Sequence, residues 1–203
     1  MVHIFDCDGT LIDSNGVWKI ADMVYADRYD IPLTEHDLSY IPSLIYDDLY
    51  TFFVERGLKE EYSKFRPELD SIAREQYEND VELKGGAGVY LEYLAQKGER
   101  MMVFTGSPKS LVIPALKRNG IEHYFEKIIT TDEVGCEKTD SDVFVKMLAY
   151  IGESAGSVIV YEDSENGTAN AKKAGIYTIC IEDDYSKPVV FDRKIKDFRE
   201  LMK

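Results

Sequence analysis

The sequence predicts an α/β fold of three layers, a mainly parallel sheet covered by helices on both faces, with a small helical segment inserted near its start. Two observations carry this prediction. Short apolar runs recur along the chain, each ending in a polar loop, and helical periodicity fills the intervals between them. Between residues 14 and 84, by contrast, the pattern is helical throughout, with no convincing strand. The predicted division is a core of residues 1–13 and 85–203 and a helical insertion of residues 14–84.

The core elements follow in order. Val2 to Asp6 reads as a short buried strand that ends in the loop Asp6-Cys7-Asp8-Gly9-Thr10. Arg100 to Thr105 ends at Thr105-Gly106, and Ser157 to Tyr161 ends at Glu162-Asp163. Lys127 to Thr131 and Gly175 to Ile181 are further strands. Helices are expected over Gly88 to Gln96, Ser110 to Arg118, Val143 to Ile151 and Thr168 to Ala174, each closed by a nearby glycine. Pro114 should kink the second of these or mark its first turn. In such a sheet chemistry belongs at the carboxyl ends of the strands, where Asp6, Thr105 and Asp163 fall.

In the insertion, helices are expected from Val17 to Arg28, Leu44 to Arg56 and Pro67 to Tyr77, with breaks at Asp30-Ile31-Pro32 and Arg56-Gly57. Hinges are placed near Asp13 to Gly16 and Lys84 to Gly88, where three glycines give the backbone freedom. Asp183 to Lys203 is read as a closing segment docked on the sheet.

Composition narrows the function. Hydrophobic residues make up 44% of the 203, enough for a substantial core. No apolar run reaches the roughly 18 residues needed to span a membrane. Asp6, Asp8 and Asp13 stand where a secretory leader would be basic and then apolar, so a soluble cytoplasmic protein is the reading. The formal charge of -14 argues against nucleic acid or an anionic membrane as partner. A local cation or bound metal can still make a pocket attractive to an anion. Cys7, Cys136 and Cys180 lack the spacing of a disulfide framework or metal knuckle and are expected as reduced thiols.

The loop after the first strand carries the chemical argument. Two carboxylates spaced as Asp6 and Asp8 repel each other unless a cation lies between them, and Mg²⁺ with its oxygen preference is the natural choice. Gly9 permits a close turn, which Thr10 can help to cap. Three further stretches stand out. They are Val103-Phe104-Thr105-Gly106-Ser107, Lys138-Thr139-Asp140-Ser141-Asp142-Val143-Phe144, and Val158 to Ser164 followed by Gly167, Ala169, Ala171, Ala174 and Gly175.

In this order the four stretches resemble the motifs of the haloacid-dehalogenase-like hydrolase superfamily. The closest branch has a helical cap and contains phosphoglycolate-phosphatase-like and beta-phosphoglucomutase-like enzymes. The resemblance covers nearly the whole chain and implies a Rossmann-like catalytic core and, as is frequent in such enzymes, a monomer. It departs from the family at Thr139 and Ser141, where prolines are usual, although Lys138, Asp142 and Phe144 match. Lys127 and Lys146 lack the right offset. By resemblance Asp6 is the nucleophile and Asp8 the general acid and base. Thr105 with the backbone at Gly106, together with Lys138, holds the phosphoryl oxygens. Asp6, Asp8, Glu162 and Asp163 are the metal set, Glu162 directly or through water.

The implied activity is a Mg²⁺-dependent phosphatase of small phosphorylated metabolites, acting through an aspartyl-phosphate. A sugar phosphomutase is the alternative. It would have to hold a bisphosphate, and the insertion, with 16 acidic against 8 basic side chains from Ser14 to Lys84, does not advertise the cations for one. A non-catalytic protein would have no use for Asp6, Asp8, Thr105, Lys138 and Asp163 together. Dehalogenases of the superfamily lack the second aspartate, because a halide leaving group needs no proton. The substrate selector is expected in the insertion from Ser39 to Tyr46, around Ile41-Pro42-Ser43-Leu44, and Arg56, Lys59, Lys64 and Arg66 are expected on the surface.

Overall fold

A computed structural model of the protein describes residues 1–41, 44 and 46–202. The chain divides into two compact units, Met1–Ser14 with Glu82–Lys203, and Asn15–Val81. The first unit is a six-stranded sheet of β1 (Val2–Phe5), β2 (Arg100–Thr105), β3 (Lys127–Thr130), β4 (Val158–Glu162), β5 (Tyr177–Ile181) and β6 (Arg193–Ile195). Their spatial order is β3-β2-β1-β4-β5-β6, and every pairing is parallel. The order reverses direction beside β1, so a crevice opens between the carboxyl ends of β1 and β4, the place where open parallel sheets take their ligands.

Both faces of the sheet are covered, which is why its strands read as apolar runs. Val2 and Ile4 join Met102, Val158 and Val160 under α8 (Val143–Ile151) and α9 (Glu165–Lys173). His3 and Phe5 point the other way. There Phe5 stacks on Tyr161 at 4.2 Å and meets Tyr90 of α5 (Ala87–Gln96) and Phe198. The remaining core helices are α6 (Lys109–Arg118) and the short α7 (Thr131–Val134). Pro114 sits inside α6 rather than in its first turn. β6 was not anticipated as a strand: it has three residues, begins with two charged ones and stands at the sheet edge, where short charged strands are usual.

The second unit contains α1 (Val17–Arg28), α2 (Glu35–Tyr40), α3 (Tyr46–Glu55) and α4 (Tyr62–Asn79). α2 goes beyond the sequence reading, and a capping box starts it: Thr34 accepts from the Asp37 amide while the Asp37 carboxylate takes the Thr34 amide. α4 begins five residues before Pro67, which lies within the helix. Tyr25, Phe53 and Phe65 form its aromatic centre. Part of the expected selector, at Pro42, Ser43 and Ile45, falls outside the described residues.

The glycines after Lys84 have a packing role that the hinge reading did not foresee. Gly86 adopts φ 75°, and a Cβ there would lie 2.5 Å from an Asp197 oxygen and 2.9 Å from the Arg199 backbone nitrogen. The Phe198 amide donates to the Gly85 carbonyl at 3.0 Å. These glycines let the C-terminal segment lie directly against the start of α5.

Candidate active site

Asp6 stands one residue beyond β1, its amide donating to the Tyr161 carbonyl of β4 at 2.9 Å. The loop then closes on itself. Leu11 and Ile12 donate to the Cys7 carbonyl at 2.9 and 3.1 Å, and Gly9 takes φ 75° at the bend. Thr10 is buried and donates through Oγ1 to Asp163 Oδ1 at 3.1 Å, a link across 153 residues. Its work is thus to anchor Asp163 from the Asp6 loop. Asp8 accepts from the Ser14 hydroxyl at 2.6 Å, which orients its carboxylate.

Lys138 reaches the same point from the loop before α8. Its Nζ donates to Asp6 Oδ1 at 2.8 Å and also to Glu162 Oε1. The ammonium lies 5.3 Å from the Phe104 ring centre and 5.9 Å from that of Phe144. Burial alone would push its pKa down, but attraction to the Asp6 and Glu162 carboxylates overrides this and holds the lysine charged. Asp6 shows the converse balance. Burial lifts its pKa well above the usual carboxylate range against the pull of Lys138, and Glu162, Asp163 and Asp8 add repulsion. The rival lysines lie elsewhere: Lys146 pairs with Asp142 on the surface, and Lys127 lies over Tyr150.

Glu162 is fixed on its second oxygen by the Ser164 amide and hydroxyl, at 2.9 and 2.8 Å. Ser164 also caps α9 by accepting from the Gly167 amide at 3.0 Å. Ser164 therefore serves the helix start and the Glu162 carboxylate at once. A Cβ on Gly167 would overlap the Glu162 carboxylate, so glycine lets the helix pass this close without displacing that carboxylate from its seat. Asn170, one turn further along α9, donates to the carbonyls of Lys138 and Asp140 at 3.0 and 3.2 Å. Neither Gly167 as spacer nor Asn170 as clamp was recognised from sequence. An asparagine inside a helix was the available signal, since its side chain competes for backbone groups.

Thr105 is buried at the end of β2, and its Oγ1 accepts from the Ser107 amide at 3.0 Å. A Cβ on Gly106 would sit 3.6 Å from Lys138 Cγ, which places this turn beside the lysine stem. Among the described residues, Asp6, Glu162 and Asp163 form a group whose ligand oxygens all lie within 4.8 Å of one another, and all three are buried. Asp8 is not in that group. Three buried carboxylates with one lysine against two of them leave negative charge in excess, and a divalent cation with oxygen preference fits such a set. The Cys7 thiol, buried and close to Asp8 and Asp6, is held well above its usual pKa and stays protonated.

Residues 3–181 match the family described as haloacid dehalogenase-like hydrolase. The chain belongs to that family. By class it is a hydrolase. A Phosphorylated carbohydrates phosphatase of Thermotoga maritima is 25% identical over 177 residues, which span 87% of this chain and 82% of that protein. In fold the chain resembles a Thermotoga maritima protein described as a beta-phosphoglucomutase, with TM-score 0.87, 22% identity and coverage of 99% and 96% of the two chains. It also resembles the hydrolase YfnB of Bacillus subtilis, solved bound to magnesium, with TM-score 0.80, 18% identity and coverage of 98% and 96%. No helix among the described residues is long and apolar enough to cross a membrane.

Proposed function

We propose that this member of the family is a Mg²⁺-dependent phosphatase of small phosphorylated metabolites, with Asp6 as nucleophile. The observation that carries the reading is the contact of 2.8 Å between Lys138 Nζ and Asp6 Oδ1, inside a group of buried carboxylates at the topological switch point. Asp6, Glu162 and Asp163 would hold the ion, which when bound draws charge from the phosphoryl oxygens. Lys138 keeps one Asp6 oxygen oriented and offers a positive charge to the incoming phosphoryl group. The turn at Thr105 and Gly106 offers a hydroxyl and backbone N–H groups to the same oxygens.

In the first step an Asp6 oxygen attacks phosphorus, forming the acyl-phosphate bond as the ester P–O bond breaks. Asp8, aligned by Ser14, gives its proton to the departing oxygen. In the second step water attacks phosphorus and loses a proton to Asp8. The Asp6–phosphorus linkage breaks and phosphate leaves. The segment of residues 15–81 acts as the cap in this reading, with the core of residues 1–14 and 82–203 as the catalytic part.

A phosphatase is favoured over a mutase by the cations of the helical unit. Arg56 pairs with Asp37 at 2.9 Å, Lys64 with Glu60 at 3.0 Å and Arg66 with Asp70 at 3.9 Å, so each already has an acidic neighbour in its own unit. The test is phosphate release from a panel of phosphorylated sugars, nucleotides, glycolate and amino acids, with Mg²⁺ or with EDTA, alongside Asp6→Asn. Metal-dependent release that vanishes in the variant is the expected result. A folded protein that releases phosphate from none of the panel overturns the reading.

A further inference from the structure

The helical unit carries a partly open cavity of about 310 Å³ whose described walls are mainly apolar: Trp18, Ile41, Leu44, Leu49 and Leu69. Small-molecule pockets begin at about this size, and a dry cavity of about half the volume already admits benzene. Asp22 and Tyr46 complete the lining. The Tyr46 hydroxyl is committed, donating to Asp70 at 2.5 Å, so Tyr46 brings chiefly its ring. That ring stands edge-on to Trp18 at 6.1 Å.

Asp22 is the anomaly. It is 2% exposed, and its Oδ1 is buried with no hydrogen-bond partner. A buried polar atom left unpaired is costly, and an apolar wall around it makes the cost larger. A single water is a poor remedy, because an ordered buried water needs two to four polar partners. The missing partner is a donor, and the only charge presented by the described lining is negative. The Trp18 ring also favours a cation over an anion, while one face of the Tyr46 ring is already taken by the Arg66 guanidinium at 4.6 Å.

We propose that this cavity is a binding site for a compact apolar amine, whose ammonium pairs with the Asp22 carboxylate while its hydrocarbon body fills the space between Trp18, Leu49 and Leu69. The site excludes phosphate and carboxylate groups, which would face Asp22 with like charge. Ile41, Leu44 and Tyr46 of its lining belong to the segment expected to select the substrate, but the pairing with Asp22 does not depend on the chemistry assigned to Asp6. Burial lifts the Asp22 carboxyl to about 7, so above that pH the unliganded site carries a stable negative charge.

The test uses the full chain at pH 8 with three probes of matched shape: phenethylamine, 2-phenylethanol and phenylacetate. Calorimetry and ligand-observed NMR should show phenethylamine binding with Kd of about 1 mM, the range open to so small a ligand. The alcohol should bind roughly tenfold more weakly, since a charge-assisted contact is lost, and phenylacetate should not bind. Asp22→Asn should weaken the amine roughly tenfold and leave the alcohol unchanged, while Leu69→Trp, which fills the space, should abolish both. Asp6→Asn should bind the amine like the parent, which separates this site from the phosphatase reading. Absence of amine binding to the folded parent, equal binding of amine and carboxylate, or indifference to Asp22→Asn each overturns the proposal.

Discussion

Replacing Asp22 by asparagine, in the absence of ligand, should change how stability depends on pH. An aspartate in the unfolded chain titrates near 3.8, whereas burial raises Asp22 in the fold to about 7. The folded state therefore keeps its proton in a range where the unfolded chain has lost it. By linkage, stability is undiminished below pH 3.8 and falls as pH rises toward 7, after which the loss is complete. A difference of about three pKa units corresponds to about 4 kcal/mol at most, since one unit is about 1.4 kcal/mol. Near pH 5 only about 1.6 kcal/mol of that is spent, so roughly 2.5 kcal/mol should be lost between pH 5 and 8. The asparagine amide does not titrate and leaves a constant cost at its unpaired atoms. Urea unfolding of parent and variant, followed by circular dichroism from pH 4 to 8, isolates the term, because all other groups are common to both chains. The parent should lose stability relative to the variant by a few kcal/mol across the range. Parallel curves would refute the reasoning, and would mean that Asp22 ionises freely in the fold.

Three other outcomes are expected. Gly167→Ala forces the Glu162 carboxylate away from its seat against α9 and so disturbs Lys138; kcat for phosphate release should fall about 10- to 100-fold with the circular dichroism spectrum unchanged. Unaltered kcat would show that the spacing does not matter. Gly86→Ala meets both φ 75° and close contacts with Asp197 and Arg199, whereas Gly98→Ala meets φ 70° with nothing within 4 Å of the new Cβ. Calorimetry should therefore give a loss of about 2–3 kcal/mol for the first and about 1 kcal/mol for the second, and equal losses would remove the packing argument. His3, buried and hydrogen-bonded through Nδ1 to the Tyr161 hydroxyl, is pushed down to about 4 by burial, against the pull of Glu99. Its NMR titration should have a midpoint near 4, and its contribution to stability, about 3 kcal/mol, is complete above pH 6.5 and lost as pH falls through 4. A midpoint near 6.5 would contradict the burial argument.

Much of the architecture was legible because both kinds of periodicity were strong. β1, β2 and β4 are runs buried on both faces, and α1 and α8 lie where apolar spacing and terminal residues put them. Short elements were harder. α2 has six residues and depends on a single capping box, and β6 has three. α9 begins three residues earlier than expected because Ser164, not the apolar pattern, starts it. α4 was expected to begin at Pro67, yet the helix starts at Tyr62 and runs through the proline.

Residue types and their order alone determined that carboxylates would follow β1 and β4, that a threonine would end β2, and that a lysine would precede α8. These are local facts, set by where apolar periodicity stops. Sequence could also compare the motifs with a family. It could not show that Thr10 holds Asp163, that Ser164 and Lys138 hold opposite oxygens of Glu162, that Asn170 clamps the lysine loop, or that Asp22 faces an apolar cavity. Most of these links join positions far apart in the chain. Their geometry follows from parallel pairing of β1 with β4 and the close passage of α9, so only the tertiary structure decides them.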